Sequence, residues 1–549
     1  MPERLRDALG VAAAVLLGLA AFLIYCGWWP LIPSNIAWLE SGDRGMHQLG
    51  WMFYRQAEWG IPPGRSPLLG IEISNSIALV DGLPLLAIPF KLLAQWLPEP
   101  FQYWGYWLLL SFILQSVFAW RIARELGAGR VVALFAAAFV LITPTYLFRV
   151  PMHMALSSHW TVLAALFLYV RREPPRLWMW PLLIVLTSAI HGTLLAMVLA
   201  LWAASLVQRL WTRRTGLIDL VAEVVDAIIA MLVTLWIVGF FGTGSYGSYG
   251  YGDYKLNLLW PIISYGWSQI FPDLPHTHYD YEGLSFLGIG ILALLALAVV
   301  TGAVARLRHA VSRQWLPLTL MLLALMVFAF SKTLSLLDTN LVTIPVPGFV
   351  EAVGSAFRST GRFVWPLLYI VTIGAVVLVA GRFRPSLAVP VILVALAAQA
   401  WDSSSKWHEF ADRMPPPSTT WPTELKSPLW ERAAGAGYNR VRSIPVDEGF
   451  GSDWRPLGYY AVTHNMDIDI AYLGRVDGDA LTALRAKEER ALAEGEFEPK
   501  TIYILDVESS LRVAAHVTNN DLIALVDDRI VFLPGGATLG DDVEKWHGD

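Results

Sequence analysis

Residues 11–29 read VAAAVLLGLAAFLIYCGWW, and soon after comes Leu39-Glu40-Ser41-Gly42-Asp43-Arg44-Gly45-Met46-His47. The first stretch carries no charge and approaches the roughly twenty residues that cross a hydrocarbon core of about 30 Å. The second gathers carboxylates, a guanidinium and an imidazole just beyond it. An apolar span opening onto an ionisable cluster decides the fold, because the same alternation continues down the chain. Arg4 and Arg6 precede the first span, and no small-x-small cleavage site follows it, so it reads as a signal anchor that is retained.

With 55% hydrophobic and 15% charged residues, and a mean hydropathy of +0.50, the composition excludes an ordinary soluble globule. Apolar runs fall near 11–30, 103–121, 131–148, 157–171, 178–191, 193–210, 219–241, 284–304, 315–331, 364–381 and 386–402. The expected fold is therefore a polytopic α-helical membrane protein of about eleven transmembrane helices. Tryptophans gather at run ends, as interfacial anchors do: Trp28, Trp29, Trp178, Trp180, Trp315, Trp365 and Trp401. The single cysteine, Cys26, excludes an intrachain disulfide framework and a thiolate metal cluster. A net charge of −5 argues against nucleic-acid binding.

Basic linkers set the orientation. Those at 121–130, 171–176, 208–214, 306–313 and 382–384 fall on the side of Arg4 and Arg6, the cytoplasmic side. Residues 31–102 then form a long first periplasmic loop. Within it, 79–97 reads as a re-entrant or interfacial helix, since it carries Asp81, Pro84, Pro89 and Lys91. Residues 1–402 make the membrane domain with that loop. Residues 403–549 make a periplasmic α/β domain, entered through Pro415-Pro416-Pro417, with β-type runs at 438–445, 467–473, 501–505 and 529–533 and a helix at 479–494.

The outer face collects the candidate chemistry. Asp43 and His47 are four apart and share one face of a helix. Asp81 lies in an apolar segment, where burial raises a carboxyl pKa. Either one can serve as the general base that takes a proton from an acceptor hydroxyl. Arg44, His47 and Glu72 are expected to bind substrate beside them. Arg149, His153 and His159 fall in one short connection, and His191 lies at a similar depth. The Gly/Tyr run 242–254 offers rings for sugar faces, Tyr251 among them, and Glu282 closes an acidic/His cluster. In Phe357-Arg358-Ser359-Thr360-Gly361-Arg362-Phe363, two guanidiniums four apart suit a phosphate, with Lys332 on the same face. No metal-ligand spacing is recognisable, and no cofactor is expected.

Together, Gly42-Asp43-Arg44-Gly45-Met46-His47, the segment Ser76-Ile77-Ala78-Leu79-Val80-Asp81-Gly82-Leu83-Pro84-Leu85, Tyr281-Glu282-Gly283 and the Arg358/Arg362 motif resemble the GT-C superfamily of integral-membrane glycosyltransferases, in a bacterial branch of it. The resemblance covers essentially the whole chain. It implies a sugar donor linked to polyprenyl phosphate, an acceptor glycan, lipid or protein from the cell envelope, and contact with membrane lipids. It further implies an inverting displacement with a first-loop Asp as base, and Arg358 and Arg362 stabilising the departing phosphate. Asp43 is followed by Arg44 where that family often has a second acid, so no metal requirement is expected. The competing reading is a transporter or flippase of lipid-linked or polar substrates. Such a protein should carry ionisable residues at mid-span and matched broken helices. Here Glu223 and Asp226 sit only in the cytoplasmic half of the seventh span, and no internal repeat is evident.

Overall fold

The computed structural model describes residues 2–73, 76–241, 250–305, 312–446, 454–471 and 476–546. Part of the Gly/Tyr run (242–249), most of the basic linker 306–313 and the end of the β-type run 467–473 lie outside the described residues. The chain divides into two compact units. One comprises Met1–Pro33, Tyr103–Thr234 and Ser248–Pro415, and the other Ser34–Gln102, Leu235–Gly247 and Pro416–Asp549.

The first unit is built of apolar helices, and a helix forms within each expected span. Among the described residues, six are long and apolar enough to cross a membrane: Glu3–Cys26, Trp104–Glu125, Gly192–Trp211, Leu217–Ile237, Thr360–Arg382 and Pro385–Asp412. The others, such as Arg130–Leu141, Trp160–Val170 and Met179–Ser188, are shorter. Their outward faces are apolar, with Leu16, Ile218, Val300 and Val394 respectively 64, 85, 84 and 69% exposed. A bundle in water hides such side chains, whereas one surrounded by hydrocarbon presents them. The chain is a membrane protein.

Inside the bundle, small residues let backbones approach. A Cβ on Gly18 would lie 2.7 Å from the Ile113 Cα, so the first helix can lie against Trp104–Glu125 only with glycine there. Glu223 is buried and paired: Arg209 donates to it at 2.5 and 2.8 Å, and the Trp202 indole at 2.9 Å. That carboxylate ties two neighbouring spans together. The segment 332–363, between the spans at 315–331 and 364–381, contains an antiparallel hairpin of β1 (Thr333–Leu336) and β2 (Thr339–Thr343), followed by the helix Gly348–Phe357.

The second unit centres on a mixed six-stranded sheet. Its strands are β3 (Arg440–Ile444), β4 (Asp467–Ile468), β5 (Thr501–Leu505), β6 (Leu522–Val526), β7 (Arg529–Leu533) and β8 (Glu544–Lys545), in the order β4-β3-β5-β7-β6-β8. β3 pairs in parallel with β4 and β5, and the remaining pairs are antiparallel. The helix Gly478–Glu494 starts on Asp477, whose carboxylate accepts from the Asp479 and Ala480 amides, and stops at Gly495 with φ +75°. Leu492, Tyr503, Val513 and Phe532 form part of the core between sheet and helices.

Residues 34–102 cluster with this sheet, although the sequence had placed the loop with the spans. Leu69 bridges Ile468 in parallel, with Gly70 N–H donating to Ile468 O at 2.8 Å and Ile468 N–H to Leu68 O at 2.9 Å. The Ile36 amide donates to Ser418 O at 2.9 Å, and the Gln56 amide group to Val462 O at 2.9 Å. The 79–97 segment forms the helix Pro84–Leu92, which is 9 residues long and too short to cross a membrane. Leu92 and Trp96 remain 64 and 70% exposed along it, which suits an interfacial position.

Candidate functional site

In the first unit, three charged side chains from distant parts of the chain meet out of solvent. Arg149 ends the helix Pro144–Arg149, which begins with proline at its first position. Glu282 sits in the short turn Asp280–Gly283, and Arg362 in the turn Thr360–Val364. Arg362 donates to Glu282 Oε2 through Nε at 3.0 Å and Nη2 at 2.7 Å. Arg149 Nη1 lies 2.8 Å from the same oxygen, and its Nη2 donates to the Glu282 carbonyl at 2.7 Å.

Glycine makes this meeting possible. A Cβ on Gly361 would come within 2.8 Å of both the Gly283 Cα and the Lys255 carbonyl oxygen, and one on Gly283 within 2.5 Å of that oxygen. Side chains there would push Arg362 and Glu282 apart. Beneath the turns, Asp280 is held by Asn257 Nδ2 at 3.0 Å, the Ser335 hydroxyl at 3.3 Å and Lys255 Nζ at 3.5 Å.

The electrostatics leave a surplus of positive charge. Both guanidiniums make their ion pairs with one carboxylate, and their side chains are only 1 and 9% exposed. Burial alone would raise the Glu282 carboxyl, but Arg149, Arg362 and then His153 hold it far below the usual carboxylate range. Burial pulls the Arg149 guanidinium down to about 10, against the pull of Glu282. Arg149 Nε has no hydrogen-bond partner among the described residues. An anion brought to this cluster meets one uncompensated charge and free donor capacity.

Around the cluster the walls are aromatic. The Arg149 guanidinium stands 4.8 Å from the Phe148 ring centre and 5.6 Å from that of Trp365. His159 stacks on Trp365 at 4.0 Å, and its Nδ1 shares a 2.5 Å hydrogen bond with the Tyr369 hydroxyl.

The other expected residues of this unit lie elsewhere in it. Arg358, at φ +56°, donates to the Tyr254 hydroxyl at 3.1 Å and faces that ring. Although Arg362 is only four residues on, it is engaged with Glu282. Tyr251 packs beneath Gly354, near Lys332, whose Nζ reaches Glu351 at 2.6 Å. His191 caps the helix Gly192–Trp211, its Nδ1 accepting from the Thr193 amide at 3.1 Å.

In the second unit, Asp43 lies in the first turn of the helix Gly42–Gln56, where a carboxylate suits the positive helix end. Arg44 reaches back to the Ser41 hydroxyl at 3.0 Å. His47 is buried one turn on, and its ring nitrogen lies within 4.8 Å of an Asp81 carboxylate oxygen. Asp81 adopts φ +50° and Leu83 φ +53° in the tight segment before the helix Pro84–Leu92. Gly50 lets that segment approach the helix, since a Cβ there would sit 2.5 Å from Val80 Cγ2. Glu72 belongs to a different network, bridging to Arg442 at 2.8 Å, with Asp469 and Glu498 on the same guanidinium at 3.1 and 3.2 Å.

The chain matches the model of a domain of unknown function, DUF6311, over residues 15–404, and the DUF6311 C-terminal domain over residues 429–534. The chain belongs to the DUF6311 family. No curated protein matches it. Among solved structures it is similar to the crystal structure of ArnT from Cupriavidus metallidurans bound to undecaprenyl phosphate. The two are 13% identical, over 98% of this chain and 99% of that one, with a TM-score of 0.42.

Within this DUF6311 chain, sequence reasoning named Arg149, Glu282 and Arg362 but passed over the residues that seat them. Gly361 stood inside the quoted Arg358/Arg362 motif without its packing role being visible, and Lys255, Asn257 and Tyr369 carry no periodic or motif signal. Their importance comes from backbone crossings and packing between segments far apart in sequence.

Proposed function

We propose that this protein is a membrane glycosyltransferase that moves a sugar from a polyprenyl-phosphate-linked donor to a cell-envelope acceptor. The observation that carries the reading is the buried Arg149/Arg362 pair sharing Glu282, a positively charged, water-poor site within a unit of apolar helices. A lipid phosphate is the anion that can reach such a place from the bilayer. The resemblance of the motifs around Asp43, Asp81, Glu282 and Arg362 to GT-C enzymes points the same way.

In the proposed reaction, an acceptor hydroxyl oxygen attacks the anomeric carbon and a carboxylate takes its proton. The bond from that carbon to the phosphate oxygen breaks, with inversion, and polyprenyl phosphate leaves with its charge on the arginines. We assign the role of base to Asp81 ahead of Asp43, since a His47 ring nitrogen lies within 4.8 Å of the Asp81 carboxylate while Asp43 sits in the first turn of a helix, where the positive end stabilises its charged form. We further place the protein in a bacterial inner membrane, with the N-terminus cytoplasmic and residues 403–549 periplasmic.

The test is sugar transfer by the purified full chain from synthetic polyprenyl-phosphate donors. Asp81→Asn should lower turnover about 10²–10⁴-fold, the usual contribution of a general base, with Asp43→Asn far milder. Full activity in Asp81→Asn would remove that assignment. Donor crossing liposomes without being consumed would favour the transporter reading.

A further inference from the structure

Beside the arginine cluster the chain makes an unusual turn. In Ser264-Tyr265-Gly266-Trp267, the Trp267 amide donates to the Ser264 carbonyl at 2.9 Å, and the two central residues have φ of +48° and +75°. A turn with both central φ positive wants asparagine or glycine at its first centre, and a bulky aromatic residue there is strained. Tyr265 is held in place nonetheless. Its hydroxyl donates to the Asp280 carbonyl at 3.1 Å, and its ring lies 4.5 Å from the His276 ring.

That turn forms one wall of a cavity of 320 Å³, whose lining includes Phe148, Tyr265, Trp267, Asp273, His276 and Tyr281. The volume lies at the low end of small-ligand sites, which run about 300–1,000 Å³. Phe148 and Tyr281 directly precede Arg149 and Glu282 in the chain, and their rings stand 6.3 Å apart at 79°. The cavity and the ion cluster therefore share these two segments. Four aromatic rings offer flat apolar faces, while the Asp273 carboxylate and the His276 imidazole, 4.0 Å apart, offer hydrogen-bonding edges at the rim. A phosphate is repelled by Asp273, and a lipid tail gains nothing from that charged edge. A pyranose ring matches both features, with C–H faces against rings and hydroxyls toward a carboxylate and an imidazole.

We propose that this cavity binds a monosaccharide ring, and that Tyr265 is kept in a strained turn to supply its stacking face. That the ring belongs to a reacting substrate rests on the glycosyltransferase reading above, but sugar binding itself does not. The ring comes either from the donor or from the acceptor, and the experiment separates the two.

The test is saturation-transfer NMR on the full chain in detergent with free glucose, galactose, mannose and arabinose as probes, alongside calorimetry with polyprenyl phosphate. Wild type should give transfer to the ring protons of at least one sugar. Tyr265→Asn suits the turn and should fold with an unchanged unfolding midpoint, yet weaken that sugar at least tenfold. His276→Ala should weaken it as well. Both variants should bind polyprenyl phosphate like wild type, whereas Arg362→Gln should lose it and keep the sugar.

Displacement of the free sugar by polyprenyl-phosphate mannose, but not by polyprenyl phosphate, identifies the donor ring. Persistence of the free sugar beside bound donor identifies the acceptor. No sugar signal in wild type, or equal signals in wild type and both cavity variants, overturns the proposal. Loss of lipid-phosphate binding in wild type with sugar binding intact overturns the glycosyltransferase reading and leaves the cavity standing.

Discussion

Glu282→Gln keeps the side chain's shape and removes its charge, so it isolates what the carboxylate does for Arg149 and Arg362. Both guanidiniums point their ion pairs at one oxygen, at 2.8 and 2.7 Å, from positions with almost no contact with solvent. Removing one partner of a buried pair costs about 3–5 kcal/mol, and here two cations lose their partner together, which places the loss at the upper end. The assay is thermal unfolding of the full chain in detergent, followed by tryptophan fluorescence, in chloride and in phosphate buffer. In chloride the variant's midpoint should fall by several degrees. In phosphate an anion can pair with the two guanidiniums beside the neutral amide. At a concentration 100 times its dissociation constant, a ligand stabilises by about 2.7 kcal/mol, so more than half of the loss should return. Wild type, with its single surplus charge, should gain less from phosphate than the variant does. Equal midpoints for the variant in the two buffers would refute an anion site, and an unchanged midpoint in chloride would refute the charge argument itself.

Other outcomes follow from the same structure. Gly361→Ala places a methyl group 2.8 Å from three backbone atoms, so it should cost about 1–3 kcal/mol as overpacking and weaken polyprenyl-phosphate binding, measured by calorimetry. Asp469 is fully buried beside Arg442, and burial lifts its carboxyl to about 7, against about 3.9 in an unfolded chain. Its protonated form is favoured by folding, so its stabilisation is complete at low pH and is lost as pH rises through 7. Between pH 5 and 8 the loss should be about 3 kcal/mol, seen as a falling unfolding midpoint that Asp469→Asn flattens. Glu498 has the opposite sign, since Lys487, Arg440 and Arg442 outweigh burial and hold it down to about 2. Its stabilisation is present above about 4.3 and disappears as pH falls below that value, so the two groups together place the stability maximum near pH 4.

Much of the fold was legible because it is written locally. Apolar runs, proline and glycine punctuation and tryptophan belts marked each helical span, and two strands, Thr501–Leu505 and Arg529–Leu533, form as read. β6 was passed over although Leu522–Val526 is apolar throughout, because a short apolar run between charged turns has no period to distinguish it. β1 and β2 were missed because short strands mixing threonines with a few apolar residues, with β2 exposed throughout, resemble any surface connection.

Local pattern also determined which residue types were available for chemistry: arginines, histidines and carboxylates outside the apolar runs. Which of them meet was decided only in three dimensions. Arg149 and Glu282 are 133 positions apart, and Glu282 and Arg362 are 80, so no spacing rule connects them. Their meeting depends on Gly283 and Gly361 letting backbones cross, just as the pairing of Leu69 with Ile468 joins the first loop to the C-terminal sheet. The sequence by itself determined helices that expose hydrocarbon and a tail able to form a sheet, since neighbours along the chain dictate both. Tertiary structure decided the ion cluster, the His47–Asp81 approach and the strained Tyr265 turn, because burial and long-range contact choose partners that sequence distance does not encode.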